Sequence, residues 1–161
     1  MKKMNKRGFT LIELLAIIVI LAIIAVITVP LILGIIDEAK AKSAVSSVVG
    51  YGKAVELAYS HYQLGTDTTL TATDTDAATG LANGSYIKLQ VGATSNDTIN
   101  LRVDFSGDKV VCSTTAGQNL VSGGKITLQG CKINGTGTTT YLYDNGRGCT
   151  TPNSGTTCPA S

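Results

Sequence analysis

An uncharged run of 23 residues, 14–36 (LLAIIVILAIIAVITVPLILGII), constrains this chain more than any other feature, and Thr28 is its only hydroxyl residue. As a helix the run spans roughly 35 Å at about 1.5 Å per residue, enough to cross the hydrocarbon core of a bilayer. Ahead of it, Lys2, Lys3, Lys6 and Arg7 lie in a short leader, MKKMNKRG, residues 1–8. A basic flank is retained on the cytoplasmic side, so the N-terminus is expected inside and the C-terminus exported. The leader looks like the start of a secretory signal, but the apolar stretch is too long and no small-x-small site closes it.

The same run distorts the averages. A chain of 161 residues has room for one domain plus an extra element. Outside the run it is rich in Thr, Gly, Asn and Asp, so the positive mean hydropathy describes one segment only. The formal charge of +2 is equally local, because residues 9–161 carry nine basic and eleven acidic side chains. A weakly acidic chain beyond the leader gives no support for a nucleic-acid-binding surface, and direct nucleic-acid binding is not expected.

The helix does not stop where the membrane would. Asp37, Glu38, Lys40 and Lys42 bring charge in, while Val45, Val48, Val49, Gly52, Val55, Tyr59 and Tyr62 continue at helical steps. This predicts one helix from about Thr10 to Leu64, apolar all round over 9–36 and amphipathic over 37–64. Gly65 is a suitable stop, since glycine accepts the left-handed conformation past a helix end. Pro30 and Gly34 interrupt the pattern. Proline removes a donor and crowds the preceding turn, so a kink or local weakness is expected there.

Residues 66–80, with seven threonines and almost no large apolar group, read as a surface loop. Alternation follows. Ile87, Leu89 and Val91 alternate with polar neighbours, as do Leu101, Val103 and Phe105; Val110 with Cys112, and Ile126 with Leu128, repeat the pattern. These are half-buried strands, with turn chemistry at Ser106-Gly107-Asp108 and Gly123-Gly124. The sheet needs a cover, and the amphipathic half of the long helix is the only helix able to supply it. The tail, 144–161, looks too rich in Gly and Pro for a regular element. The expected fold is therefore α+β, a long N-terminal helix packed on an antiparallel sheet, with residues 65–161 forming an exported β-rich head.

All four cysteines, Cys112, Cys131, Cys149 and Cys158, lie in the polar C-terminal part. They lack the paired short steps of a zinc site, and an even number beyond a membrane signal reads better as disulfides in an oxidising compartment. Four cysteines allow three connectivities.

The functional signal is Gly8-Phe9-Thr10-Leu11-Ile12-Glu13-Leu14. By itself, Glu13 reads as a carboxylate at the membrane interface, or a protonated one. A basic leader ending in Gly, then Phe, then a glutamate five residues past that Gly, then an unbroken apolar helix, resembles the N-terminal signal of type IV prepilins. The resemblance is strong over residues 1–36. It implies a prepilin peptidase that cuts between Gly8 and Phe9 on the cytoplasmic side and N-methylates Phe9. It implies that the Phe9 amine and the Glu13 carboxylate pair, usually between neighbouring subunits, because a charge alone in a dry filament core is strongly disfavoured. Pro30 lies where pilin helices often loosen in the assembled filament. Cys149 and Cys158 look like a shortened disulfide-bounded C-terminal region of pilins, and Cys112 would then pair with Cys131.

Other features carry less. His61 stands alone, with no nucleophile or acid nearby in sequence, and reads as a surface or packing residue. Asp67, Asp74 and Asp76 lack the glycine and final glutamate of a calcium loop. Asn83, Asn96 and Asn134 begin glycosylation sequons, which a chain so rich in Asn, Ser and Thr contains by chance. Tyr51, Tyr59 and Tyr62 read as core or subunit contacts. No catalytic triad, phosphate loop or carboxylate pair appears, so neither an enzyme nor a cofactor or metal site is expected.

The resemblance thus implies a pilus subunit: a membrane precursor, then part of a helical homopolymer at the cell surface, served by the peptidase and pilus assembly machinery, for adhesion, motility or DNA uptake. The alternatives are a pseudopilin of a secretion or DNA-uptake system, or a single-pass anchored binding domain that never polymerises.

Overall fold

The computed structural model describes residues 9–66, 86–113, 115, 117–135, 138–151 and 157–158. Among the described residues, helix α1, Leu11–Gln63, is followed by seven strands. The chain divides into two compact units, residues 1–41 and 42–161.

In the first unit, every Leu, Ile and Val from 14 to 36 is exposed. The helix runs through Pro30 and Gly34 without interruption. Pro30 cannot donate to the Val26 carbonyl, but one missing bond leaves the long apolar helix on either side intact.

The second unit has its own core. From α1 it takes Val48, Tyr51, Val55 and Ala58, all buried. The helix ends in a Schellman motif, with Gly65 at φ 74°. Thr66 N donates to His61 O at 3.0 Å and Gly65 N to Tyr62 O at 3.1 Å, which satisfies carbonyls the helix leaves open.

Strands β1 (Tyr86–Gln90), β2 (Thr98–Arg102), β3 (Val110–Val111), β4 (Leu120–Ser122), β5 (Lys125–Ile133), β6 (Tyr141–Asp144) and β7 (Arg147–Thr150) form one sheet. Its order is β2-β1-β4-β5-β6-β7, with β3 on the far end of β5. All pairings are antiparallel except β1 with β4, which is parallel at Gln90 and Leu120. The sheet is thus mixed, not purely antiparallel, because β4 joins β1 through a long connection instead of a hairpin. Ile87, Leu89, Leu101, Val103, Val110, Cys112, Ile126 and Leu128 enter the same core as the helix residues.

The helix meets the sheet closely at two glycines. A Cβ on Gly52 would overlap the Tyr143 ring, and one on Gly148 would lie 2.6 Å from Val49 Cγ2. Polar contacts fix the register: Ser47 Oγ donates to Asp108 Oδ2 at 2.8 Å, and Tyr143 OH to Glu56 Oε1 at 2.7 Å. Asn119, 1% exposed, ties strands together from within the sheet. Its amide donates to Ser113 O and Lys88 O, and its Oδ1 accepts from Gln129 N.

The tail corrects one expectation. Residues 144–161 do contain regular structure, since β7 pairs with β6 from Asp144–Arg147 to Tyr141–Thr150. The cause is Asn145-Gly146, both at positive φ, 44° and 89°, as a two-residue hairpin turn requires. The loop expected over residues 66–80 lies, beyond Thr66, outside the described residues.

Two disulfides close the fold, Cys112–Cys131 and Cys149–Cys158. The first lies in the main core, whereas Cys158 is buried on the other face, against Leu142. Strand β6 is buried at Tyr141, Leu142 and Tyr143 alike because the helix covers one of its faces and Cys158 lies against the other.

Candidate functional site

Of the residues singled out by the sequence, Phe9 and Glu13 lie at the first turn of α1. Thr10 immediately precedes the helix, and Glu13 is the acidic residue of its first turn. Thr10 N donates to Glu13 Oε2 at 2.8 Å, and Thr10 Oγ1 donates to the same oxygen at 2.7 Å. The glutamate thus reaches back to satisfy a backbone donor that the helix leaves open, the carboxylate half of a capping box. A negative charge here also faces the positive end of the helix dipole. Thr10 is the residue that the sequence reading missed. Its signal was the Thr-x-x-Glu spacing of residues 10–13 directly before an apolar helix.

Phe9, 77% exposed, adjoins this pair, while Gly8 lies outside the described residues. Beyond Glu13 the helix is long and apolar enough to cross a membrane. Its side chains have no cover within the first unit. The arrangement places one carboxylate at the head of an apolar rod.

The described residues contain no group of three His, Cys, Asp or Glu able to hold a metal ion. His61 is exposed and lines a shallow cleft with Ala54, Leu57, Ala58, Arg102 and Asp104. Asp67, Asp74, Asp76 and Asn83 fall outside the described residues, whereas Asn96 and Asn134 are exposed in turns. Tyr51 is core, edge-on to Phe105 at 5.7 Å; Tyr59 stacks on Tyr62 at 6.1 Å.

Residues 3–29 match the family model described as the prokaryotic N-terminal methylation motif, so Gly8, Phe9, Thr10 and Glu13 all lie within the match. That motif is the type IV prepilin signal. The chain therefore carries the mark of a pilin-like or pseudopilin exported protein, a structural class and not an enzyme class, and its signal implies a prepilin peptidase and assembly machinery. No curated protein and no solved structure matches the chain.

Proposed function

We propose that this chain is the structural subunit of a type IV pilus. It is cut between Gly8 and Phe9, N-methylated on Phe9, and polymerised through its N-terminal helix into an extracellular filament for adhesion, motility or DNA uptake. One observation carries the reading: the matched signal, residues 3–29, opens an uninterrupted helix whose apolar side chains are exposed within their own unit. Such a rod is stable in lipid as a precursor, and outside lipid only when other apolar rods cover it. The Glu13 charge then has a partner in the amine that cleavage creates on Phe9. The closed Cys149–Cys158 tail supports a pilus subunit over a pseudopilin.

N-terminal sequencing of native protein, with imaging of cells that have and lack the chain, tests this reading. A start at Phe9 and filaments that vanish on deletion are the expected result. An intact Met1, or processed protein without any filament, would overturn it.

A further inference from the structure

We infer that the sheet face turned away from α1 is a docking surface for an acidic polysaccharide, whose carboxylates are held by Lys88, Lys125 and Lys132. The inference deepens the adhesive role proposed above, and it rests on that reading for the surface exposure of the head, not for binding itself. Alternation fixes which side chains share this face. Lys88 stands between the core residues Ile87 and Leu89, Lys125 precedes buried Ile126, and Lys132 lies between Cys131 and Ile133. Asn100, Thr127 and Gln129 project on the same side, with Asn100 directly opposite Lys88 across β1 and β2. Lys125 is exposed, and Lys88 and Lys132 are half-buried.

Charge is segregated here. Residues 9–161 carry nine basic and eleven acidic side chains, yet among the described residues Asp144 is the only acid in any strand. Asp144 answers Arg147 at 3.6 Å, and at the β2 edge Asp104 answers Arg102 at 3.7 Å. Among the described residues the three lysines have no ion-pair partner. On β5, Lys125 and Lys132 lie roughly 20 Å apart at about 3.4 Å per residue. Gln90, Leu120 and Thr127 form one row across the sheet, so Lys88 falls at a level between those two lysines. Cations spread in this way fit an extended polyanion, whereas one small anion would need them to converge. Beside them Asn100, Gln129 and Thr127 both donate and accept, as sugar hydroxyls do. Single-stranded nucleic acid is held by successive rings on which bases stack, and among the described strands this face offers one ring, Tyr86 at the start of β1.

The test uses the full-length chain purified in detergent, with polygalacturonate, neutral dextran and single-stranded DNA as immobilised probes at several salt concentrations. Polygalacturonate should retain the chain with an affinity that falls as salt rises, and dextran should not. Replacing Lys88, Lys125 and Lys132 together with Gln should weaken retention roughly tenfold, since each exposed ion pair contributes a factor of about two. Lys125→Gln alone should lose about twofold, and it carries the test if the triple variant melts early. Lys40→Gln with Lys53→Gln, two exposed lysines on the helix, should bind as wild type. Asn100→Ala with Gln129→Ala should weaken binding several-fold at unchanged salt dependence, which mere ion exchange would not show. Several outcomes overturn the inference: no retention of wild type on polygalacturonate, wild-type affinity in a folded variant of the face, equal loss in the helix variant, or tighter binding to DNA. Because binding is read on unassembled chain, none of these touches the filament reading, and missing filaments would leave a measured affinity intact.

Discussion

Gly52 and Tyr143 meet with no side chain between them: a Cβ on Gly52 would overlap the phenol ring, whose hydroxyl donates to Glu56 Oε1 at 2.7 Å, one helical turn further on. The helix is thereby drawn onto β6 and locked in register by the same tyrosine. Gly52→Ala sets two effects against each other. Alanine raises helix propensity by about 1 kcal/mol, whereas forcing a methyl into a packed core costs about 1–3 kcal/mol. The overlap is with Cγ and Cδ2 as well as Cε2, and Cγ sits at the root of the ring, so the ring cannot swing clear. The overlap should win. Thermal melting of the detergent-solubilised chain should show a lower midpoint for Gly52→Ala.

The buried tyrosines make stability sensitive to alkali. Burial pushes the Tyr51 hydroxyl above its ordinary value of 10.0, with nearby Tyr86 adding to the shift. Burial also raises Tyr143, and its bond to the Glu56 carboxylate raises it further, since that bond needs the proton. Both groups stay protonated in the folded chain while an unfolded tyrosine ionises near pH 10. The unfolded state then binds fewer protons, so their contribution is complete below about pH 10 and declines as pH rises beyond it. Denaturation midpoints should fall above about pH 10, and the double variant Tyr51→Phe, Tyr143→Phe should show a shallower fall. An equal slope in the two proteins would refute the assignment.

How much of this was legible in the sequence depended on whether a pattern was local. The helix was readable because its apolar stripe repeats every three or four residues and Gly65 ends it. Strands β1 and β2 were readable because Ile87, Leu89 and Leu101 alternate with polar neighbours. Strand β6 was not, because Tyr141, Leu142 and Tyr143 are buried on both faces and their run has no period of two. One of those covers includes Cys158, a long-range fact. Strand β7 could have been found, since Asn145-Gly146 is a hairpin signal outweighed by the surrounding Gly and Pro. Asn119 was invisible for another reason: its partners, Lys88, Ser113 and Gln129, belong to segments brought together only by folding. At the site, Glu13 was legible from the signal motif, while Thr10, which holds it, is signalled only by the three-residue spacing of a capping box.

The Cys149–Cys158 bond should contribute both a constraint and a cover. By the loop-entropy model a loop of this size is worth about 2–3 kcal/mol. Replacing both cysteines with serine also loosens the tail over Leu142, which is fully buried. The expected outcome is an unfolding free energy, from urea denaturation, lowered by about that amount, with Cys112–Cys131 still formed on non-reducing peptide mapping. A cross-link from Cys112 to Cys149 in the wild-type protein would contradict the structure directly.

Pro30 and Gly34 separate the stability of the subunit from its assembly. In the isolated chain the helix passes through both, and a Cβ added at Gly34 would meet nothing within 4 Å. Pro30→Ala restores a donor to the Val26 carbonyl, and Gly34→Ala reduces backbone freedom. Together they favour the helical state by up to about 4 kcal/mol on propensity alone. For a helix that only has to span a membrane, that change should be harmless or helpful. A helix that must loosen around Pro30 to pack in a filament would resist loosening in proportion. The double variant should therefore accumulate in the membrane at wild-type level, start at Phe9, and yield several-fold fewer filaments, with Pro30→Ala accounting for most of the loss. Both quantities can be read from one culture, by shearing filaments from the cells and sequencing the membrane-bound remainder. Wild-type filament yield from the double variant would show that the continuous helix is already the form that assembles.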